Sequence, residues 1–347
     1  MGTPMGRTWW GWARLLGGAA ILAVLVRHLG TAPFLHGLRT VDGWSLAAAS
    51  GLAAVTTVCC AWRWSLVARG LGVAVPLGEA IRAYYRSQFL NTALPGGMLG
   101  DLHRGVVHGR RAGDVGRGLR AVGWERLAGQ LVQAALAVPV LLALPSPVRP
   151  AMPAVLAVTA LIAALALVVG GGRLPVGARS RWARVVRAAG SDLRTGLLGR
   201  RAWPGIVVAS VVVVAGHVAT FLIAARAAGV TTPPSRLLPL ALLILLAMAV
   251  PVTIGGWGPR EGVAAWAFGA AGLGAAAGLA TAVAYGMLVL VANLPGALVL
   301  AAELPRQGNH RPVPSPRPAA ASWPDGSAAA SRPLAVATLP AARRPGG

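Results

Sequence analysis

Long apolar runs recur along this chain, and they constrain its fold more than any other feature. An α-helix needs about 20 consecutive apolar residues to cross the hydrocarbon core of a bilayer. The runs here approach that length, and they are too many and too long to be core helices of a soluble fold. The clearest spans cover residues 12–29, 44–66, 119–142, 151–170, 206–225, 237–252 and 279–300. A weaker eighth candidate covers 259–273, which is short and contains Arg260 and Glu261 at its start.

The composition agrees with a membrane environment. Of the 347 residues, 56% are hydrophobic and only 12% are charged, which is about half the charged share of a soluble domain. We therefore predict an all-α fold, a polytopic helical membrane protein with seven or eight transmembrane helices. The basic start with Arg7 and Arg14 is similar to that of a signal peptide. No small-residue cleavage site follows, so we expect the first run to be retained.

The net charge of +23 suggests nucleic-acid binding at first sight. The basic residues are arginines that cluster in the connections between apolar runs, as the positive-inside rule expects of cytoplasmic loops, and we expect no nucleic-acid partner. The basic segments are the N-terminus, residues 69–120, residues 171–201 and the tail after Glu303. Placing all of them inside requires eight spans, which predicts both termini on the cytoplasmic side of a bacterial cell membrane. A re-entrant pair around 259–273 is the alternative topology.

The passage YYRSQFLNTALPGGMLGDLHR, from Tyr84 to Arg104, interrupts the apolar pattern with charged and amide side chains. The pattern predicts a short helix over 79–90, a break at Pro95, Gly96 and Gly97, and a second helix over 98–108. Proline removes a helix hydrogen bond, and glycine tolerates the backbone angles of a sharp reversal. Neither half spans a bilayer alone, so we expect a broken or re-entrant segment near 84–108. Such backbone is stable at membrane depth only where protein buries it or a wet cavity borders it.

A second passage, AVPVTIGGWGPREG at 249–262, has a related shape in the other half of the chain. An apolar helix leads into a break at Gly255, Gly256 and Gly258, and Arg260 and Glu261 follow. This predicts a second broken or re-entrant segment near 251–262. Paired interrupted segments in two halves point to a transporter site at the interface of repeats. The likeness of the two passages is one of shape, and the halves do not align residue by residue.

The side chains beside these breaks suit an anionic lipid head group. Broken helices present backbone N–H groups at positive dipole ends, and guanidiniums bind phosphate through a planar fork. Two acids are placed to orient the arginines, to bind an ammonium group or to carry a coupling proton. The alternative is that these residues form ion pairs that only pin two re-entrant loops. The candidate head-group residues are Arg86, Asn91, Asp101, Arg104, Arg260 and Glu261, with Gln88 in support.

A third polar element opens the 119–142 span, in the sequence GWERLAGQLVQAAL. Arg126, Gln130 and Gln133 recur at i, i+4 and i+7, so they share one helix face, with Glu125 beside them. Ionisable residues inside a span usually face the bundle interior. Because Glu125 and Arg126 lie near the start of the span, we place them at head-group level as supporting residues. His217 is interpreted as a helix-to-helix hydrogen bond or, as the lesser alternative, a proton-relay member.

Motifs for other chemistry are missing from the sequence. It contains no Walker loop, GxSxG elbow or dinucleotide fingerprint, so we expect no cofactor and no catalytic residues. No Cys/His cluster has the spacing of a metal site, so we expect no metal. Residues 1–302 are predicted to form the transmembrane domain, and 303–347 a disordered cytoplasmic tail rich in Pro, Ala and Arg.

At the quoted segments the chain resembles the lysylphosphatidylglycerol synthase transmembrane-domain family, also called the flippase-like domain family. The resemblance rests on YYRSQFLNTALPGGMLGDLHR, on the pair Glu125–Arg126 and on GGWGPREG. It implies a membrane domain associated with lipid translocation, which in that family is sometimes fused to a soluble aminoacyl-transferase domain. We expect this chain to have the membrane domain without that synthase domain. Pro259 stands where the family more often has a small aliphatic residue.

The leading functional hypothesis is a lipid flippase or transporter for a phospholipid or a polyprenyl-phosphate-linked lipid. Membrane lipids are then the expected partners. One alternative is a non-catalytic membrane partner of a separately encoded lipid synthase or glycosyltransferase. A lesser alternative is a membrane-embedded transferase that uses Asp101 or Glu261 as base.

Overall fold

The computed structural model describes residues 20–94, 97–154, 157, 189–197, 199, 202–248 and 257–307. Every regular element in these ranges is helical, which confirms the all-α fold. The longer helices described are α1 Ala20–Leu29, α2 Ala32–Arg39, α3 Gly43–Gly70, α4 Leu77–Ala93, α5 Leu99–Arg111, α6 Val115–Ala143, α7 Trp203–Ala227, α8 Pro234–Ala247, α9 Pro259–Ala270, α10 Ala275–Ala292 and α11 Pro295–Gln307.

Within the part of the chain that the structure describes, four stretches are long and apolar enough to cross a membrane: α3, α6, α7 and the continuous stretch Ala275–Glu303 that comprises α10 and most of α11. The bent pair α1–α2, with 100° between its helices, is a fifth candidate. Of the predicted spans, most of 151–170, the first eight residues of 12–29 and the last four of 237–252 lie outside the described residues. The count of seven or eight spans therefore stays a prediction. Helix α9 has 12 residues and covers about 18 Å, too short to form the eighth span alone.

Two of the long helices, α3 and α6, begin at an aspartate that accepts a hydrogen bond from a free backbone N–H group. Asp42 accepts a hydrogen bond from Ser45 N at the start of α3 (2.8 Å), and Asp114 accepts one from Arg117 N at the start of α6 (2.9 Å). Apolar side chains occur on every side of both helices, beside a few polar residues such as Arg63 on α3 and Glu125 and Arg126 on α6. Apolar spacing alone therefore does not fix which face of these helices is buried.

The first predicted break is confirmed between α4 and α5. Helix α4 ends at Ala93, Leu94 is extended, and Gly97 has φ +62°, a conformation that favours glycine. The two helices then pack so closely that a Cβ atom on Gly100 would overlap the carbonyl oxygen of Ser87. Pro95 and Gly96 lie outside the described residues. The second predicted break falls between α8 and α9; Gly255 and Gly256 also lie outside the described residues.

The two largest apolar cores among the described residues hold most of the bundle together. One joins α3, α4 and α6 around Trp64, Val67 and Val122. The other joins α7 to α10 around Phe221, Phe268 and Tyr285 (ring centroids about 6 Å apart). Helices α3 and α7 pack along each other, with Gly216 against the Thr56 side chain. Residues up to Leu304 form one compact unit, and the tail beyond Gln307 lies outside the described residues.

Candidate functional site

A polar cavity of about 290 Å³ lies between α3, α4, α6 and α7 and the end of α10. We call it the polar cavity. Several of its lining residues, such as Thr56 on α3, Arg126 on α6 and His217 on α7, lie well inside membrane-spanning helices. No Asp or Glu side chain is among the described lining residues. The polar lining consists of Thr56, Cys60, Arg63, Tyr84, Gln88, Asn91, Thr92, Arg126, Gln130, Gln133, Ser210, His217 and Asn293.

Glu125 lies next to the polar cavity at the centre of a charged cluster and is fully buried. Its Oε1 atom accepts hydrogen bonds from Arg63 Nε (2.9 Å) and Nη2 (2.5 Å) and from the Tyr84 hydroxyl (3.0 Å). Its Oε2 atom accepts one from Arg104 Nη2 (2.7 Å). The carboxylate is therefore balanced by two guanidiniums, which is what allows an ionised acid to remain buried.

Asp101, at the start of α5, is the second acid of this cluster. Its Oδ1 atom accepts hydrogen bonds from Arg104 Nε (2.9 Å) and Ser87 Oγ (3.1 Å). Its Oδ2 atom accepts bonds from Asn91 Nδ2 (2.9 Å) and from Arg126 Nη2. Asp101 thus links α4, α5 and α6 at the first break.

Arg63, Arg104, Arg126, Asp101 and Glu125 form what we call the central ion cluster. Three guanidiniums face two carboxylates, so the cluster carries one excess positive charge. All four carboxylate oxygens already accept bonds from the protein. The Arg126 side chain remains 43% exposed, and it lines the polar cavity. The excess charge is therefore available to a ligand at Arg126.

Arg104 is held differently from Arg126. Its side chain is fully buried, and its guanidinium lies over the rings of Tyr84 (4.3 Å to the centroid) and Trp64 (4.7 Å). The Nη1 atom has no hydrogen-bond partner among the described residues. Cation–π attraction to the two aromatic rings compensates part of the free energy lost by leaving this N–H group without a hydrogen bond. Arg104 therefore binds both Asp101 and Glu125, and it does not line the polar cavity.

The sequence builds this cluster through the break between α4 and α5. Asp101 and Arg104 are three residues apart, so they share one face of α5. Asn91 spans the break: its Oδ1 accepts Gly100 N (2.8 Å) while its Nδ2 donates to Asp101. This pairing fixes the start of α5 against the last turn of α4.

The predicted polar face of the third span is present. Arg126, Gln130 and Gln133 all line the polar cavity from α6. The Nε2 atom of Gln133 is buried and has no hydrogen-bond partner among the described residues. Glu125, expected as a supporting residue at head-group level, is instead the centre of the ion cluster, because Arg63 and Arg104 compensate its charge.

The second break holds a smaller group, the pair Arg260 and Glu261 at the start of α9. Arg260 Nε (2.8 Å) and Nη2 (2.5 Å) donate to Oε1 of Glu261, and Gly258 N donates to Oε2 (2.7 Å). An acid in the first turn also complements the helix dipole. The Arg260 guanidinium lies 5.0 Å from the Trp257 ring centroid and 5.5 Å from that of Tyr285. Both charged residues are buried, and neither lines the polar cavity.

The sequence predicted one head-group site that contains charged residues from both breaks. The structure places these residues in two separate groups. Among the described residues, no hydrogen bond or ion pair joins the Arg260–Glu261 pair to the central ion cluster. Tyr285 lies between them: its ring contacts Arg260, and its hydroxyl is 3.0 Å from His217 Nδ1, at the wall of the polar cavity. The predicted helix-to-helix bond of His217 is therefore present.

The remaining candidates lie on α4. Arg86 is buried and pairs with Glu303 on α11, away from the cavity lining. Gln88 and Asn91 do line the cavity, and Gln88 donates to Thr57 Oγ1 (3.1 Å). Sequence reasoning missed Arg63, whose Nη1 donates to Ser210 Oγ (3.0 Å). An arginine inside an apolar span is costly unless it is paired, so the position of Arg63 within the 44–66 run was a signal that could have identified it.

Apolar helices long enough to span, with a charged cavity among them, define the class: a multi-pass membrane protein. A family model for the lysylphosphatidylglycerol synthase TM region matches residues 11–296. The chain belongs to this family of membrane proteins in lipid-related processes, as the two broken segments predicted. No curated protein and no solved structure matches the chain.

Proposed function

We propose that this protein moves a phospholipid or a polyprenyl-phosphate-linked lipid between the leaflets of the cell membrane, with the head group in the polar cavity. The observation that carries the proposal is Arg126: a partly exposed guanidinium with the cluster's excess charge, lining a cavity among membrane-spanning helices. A guanidinium suits a phosphate oxyanion because its N–H groups form a rigid fork. Both termini are proposed to be cytoplasmic, from the distribution of arginines.

The surroundings of the cavity favour a lipid over a soluble anion. Gly97, at the break between α4 and α5, lines the polar cavity. Beside it Leu94, Met98 and Leu99 are exposed, at 38%, 44% and 46%. Exposed apolar side chains next to a polar cavity suit a molecule that is polar at one end and apolar along its length. Head group and acyl chains then have separate contacts on one protein.

The experiment is a leaflet-exchange assay with the purified chain in liposomes that carry a fluorescent phospholipid. An impermeant quencher added outside reports how much labelled lipid becomes accessible with time. We expect Arg126→Gln to slow exchange at least about tenfold, since hydrogen bonds to a charged group contribute about 1.5–3 kcal/mol. Asp101 keeps Arg104, Ser87 and Asn91 as partners in this variant, so the fold should persist.

Arg117→Gln is the matched control. Arg117 lies on the same helix, pairs with Asp114, and its side chain is also 43% exposed, yet it does not line the cavity. Its replacement should leave exchange unchanged. Equal rates of leaflet exchange in the wild type and in Arg126→Gln would contradict the assignment of Arg126 to the head-group site. No exchange of any lipid by a folded wild type would favour the alternative of a membrane partner for a separate lipid-modifying enzyme.

A further inference from the structure

A second pocket, of about 390 Å³, lies at the far end of α6 from the central ion cluster. We call it the distal pocket. Three elements meet around it: the connection that follows α6, the first turn of α8 and the turn between α9 and α10. Arg126 and the end of α6 are about 26 Å apart along the helix. The distal pocket is therefore separate from the polar cavity, and it shares no described lining residue with it.

Arg236 is the only charged residue among the described residues that line the distal pocket, and it is exposed. Its guanidinium forms no hydrogen bond or ion pair within the described part of the chain. The segments 144–151, 228–236 and 270–275 contain no Asp or Glu, so no acid of these segments balances its charge. A free guanidinium at the wall of a pocket suits an oxyanion, because its N–H groups form a planar fork that matches two oxygens.

Ser146 adds a second donor to the distal pocket. Its Oγ atom accepts a hydrogen bond from Val148 N (3.3 Å), and its carbonyl oxygen accepts one from Arg149 N (3.1 Å). These bonds hold the turn that follows α6. The hydroxyl hydrogen of Ser146 has no acceptor among the described residues. Because a serine hydroxyl can accept and donate at once, it is available to donate to a ligand beside Arg236.

The helix ends beside the distal pocket do not reverse the sign of its field. The start of α8 contributes about half a positive charge, and the end of α9 contributes about half a negative charge. These two contributions oppose each other, whereas Arg236 carries a full charge. The pocket is therefore electropositive by about one unit charge, which a monoanion balances.

The rest of the lining is small and apolar. The volume of the distal pocket lies within the ~300–1,000 Å³ range of small-molecule sites. Proline has a fixed φ, so the two prolines after α6 give that wall a constrained backbone. A short hydrocarbon body would contact these walls while its anionic end faces the two donors. The apolar lining residues are Pro145, Pro147, Ala270, Ala271 and Leu273.

We propose that the distal pocket binds a small organic carboxylate, with the carboxylate on Arg236 and Ser146 and the hydrocarbon part against the apolar walls. A carboxylate carries the single charge that Arg236 balances, whereas a phosphate monoester carries about −1.5 to −2 at pH 7. The two carboxylate oxygens also match the guanidinium fork. This site is independent of the proposed lipid function, and its test needs no transport.

The test is protection of Arg236 from phenylglyoxal, a reagent that modifies guanidinium groups. The full chain in detergent is treated with and without butyrate, with sodium chloride at equal ionic strength as reference, and the modification of each arginine is quantified by mass spectrometry. The free fraction of a site falls as 1/(1 + [L]/Kd), so saturating butyrate should slow the modification of Arg236 at least about fivefold. Arg149 is the matched control, because it is exposed on the same connection but does not line the pocket. No protection of Arg236, or equal protection of both arginines, would overturn the proposal.

Other probes test the chemistry of the ligand. Butyrate should protect Arg236 at a concentration at least about fivefold below that of acetate, because its extra CH₂ groups bury apolar surface. Butylamine, which has the same hydrocarbon chain and a positive charge, should not protect. Inorganic phosphate that protects at a lower concentration than butyrate would overturn the carboxylate assignment. Protection by phosphatidylglycerol in phosphatidylcholine vesicles, without butyrate, would overturn the assignment to a soluble ligand.

Substitutions give an independent readout. Butyrate should raise the midpoint of thermal unfolding of the wild type and of Arg149→Gln, but not that of Arg236→Gln. Ser146→Ala should need at least about fivefold more butyrate for the same shift, because it loses a hydrogen bond to a charged group. Arg236 is exposed and unpaired, so we expect its replacement to leave the fold intact. An equal shift in the wild type and Arg236→Gln would overturn the proposal; if Arg236→Gln does not fold, the protection of Arg236 in the wild type decides.

Discussion

The two broken segments share a pattern, a glycine-rich break beside an arginine and an acid, but their charges are arranged differently. Around Asp101, three guanidiniums share two carboxylates, and the excess charge faces the polar cavity through Arg126. At α9, one guanidinium faces one carboxylate between two aromatic rings, with no excess. Both segments place an arginine and an acid beside a glycine-rich break. Unbalanced charge and its exposure to the cavity, more than the sequence motif, therefore distinguish the proposed binding site from an ion pair that only stabilises the fold.

The largest effect is expected at the centre of the first segment, for Glu125→Gln. Removing this charge leaves Arg63 and Arg104 buried without their main partner. Breaking a buried ion pair on one side costs about 3–5 kcal/mol in soluble proteins. We expect a steep fall in folded yield and in the midpoint of thermal unfolding in detergent, measured by size-exclusion chromatography after heating.

Glu79→Gln is the control for Glu125→Gln. Glu79 pairs with Arg111 near the surface, where its side chain is 30% exposed. Surface ion pairs contribute about 0–1 kcal/mol, so this variant should unfold near the wild-type temperature. Comparable losses in both variants would mean that the central ion cluster is not the specially sensitive group described above.

A smaller effect is expected at the second segment, for Glu261→Gln. The variant loses the charge that holds Arg260 Nε and Nη2, but Arg260 keeps its contacts with Trp257 and Tyr285. Hydrogen bonds to charged groups contribute about 1.5–3 kcal/mol, so the loss should be measurable but smaller than for Glu125→Gln. The folded fraction should keep the wild-type rate of leaflet exchange. A slower rate would place the Arg260–Glu261 pair in the proposed head-group site.

The backbone of the first segment gives a third test, Gly100→Ala. The new Cβ atom would overlap the Ser87 carbonyl, so α5 must shift against α4 and carry Asp101 with it. Overpacking costs about 1–3 kcal/mol. Both stability and leaflet exchange should fall.

Gly51→Ala on α3 is the matched substitution for Gly100→Ala. No atom lies within 4 Å of the position of its new Cβ. Gly51→Ala should raise the free energy of unfolding by up to about 1 kcal/mol, because alanine is a better helix former than glycine. Equal behaviour of the two variants would mean that α4 and α5 are not locked together at this contact.

Much of the fold was predictable because it follows from local properties of the chain. Apolar length predicted the positions of α3, α6 and α7, and Pro and Gly predicted the break between α4 and α5. The i, i+4, i+7 spacing on α6 predicted which polar side chains share the cavity wall. These signals need only helix geometry and hydrogen-bonding rules.

The pairing of charges was not predictable from local pattern. Arg63 reaches Glu125 across 62 positions of sequence, and the sequence gives no reason to prefer that partner over Asp101. Arg86 was predicted to bind the head group because it is an arginine beside the first break, yet it pairs with Glu303 on α11. Helix rotation and tilt set such partners, and both depend on how the helices pack against one another, which the sequence pattern does not determine.

The smallest effect is expected outside both segments, at the cap of α3. Asp42 is exposed and accepts a hydrogen bond from Ser45 N at the helix start. Hydrogen bonds from Ser45, from its side chain and its backbone, lower the pKa of Asp42. A lowered folded-state pKa means that the carboxylate stabilises the fold above its unfolded pKa of about 3.9, and that this contribution is lost as the pH falls through the folded value.

Asp42→Ala should therefore lower the thermal midpoint slightly at pH 7, and the gap to wild type should narrow as the pH approaches 3. Asp42→Asn keeps a capping oxygen without a titrating group, so its gap to Asp42→Ala should not vary with pH. Thermal unfolding of the three proteins in one detergent across this pH range makes the comparison. A gap between wild type and Asp42→Ala that widens at low pH would contradict the cap, because the ionised carboxylate accepts the stronger hydrogen bond.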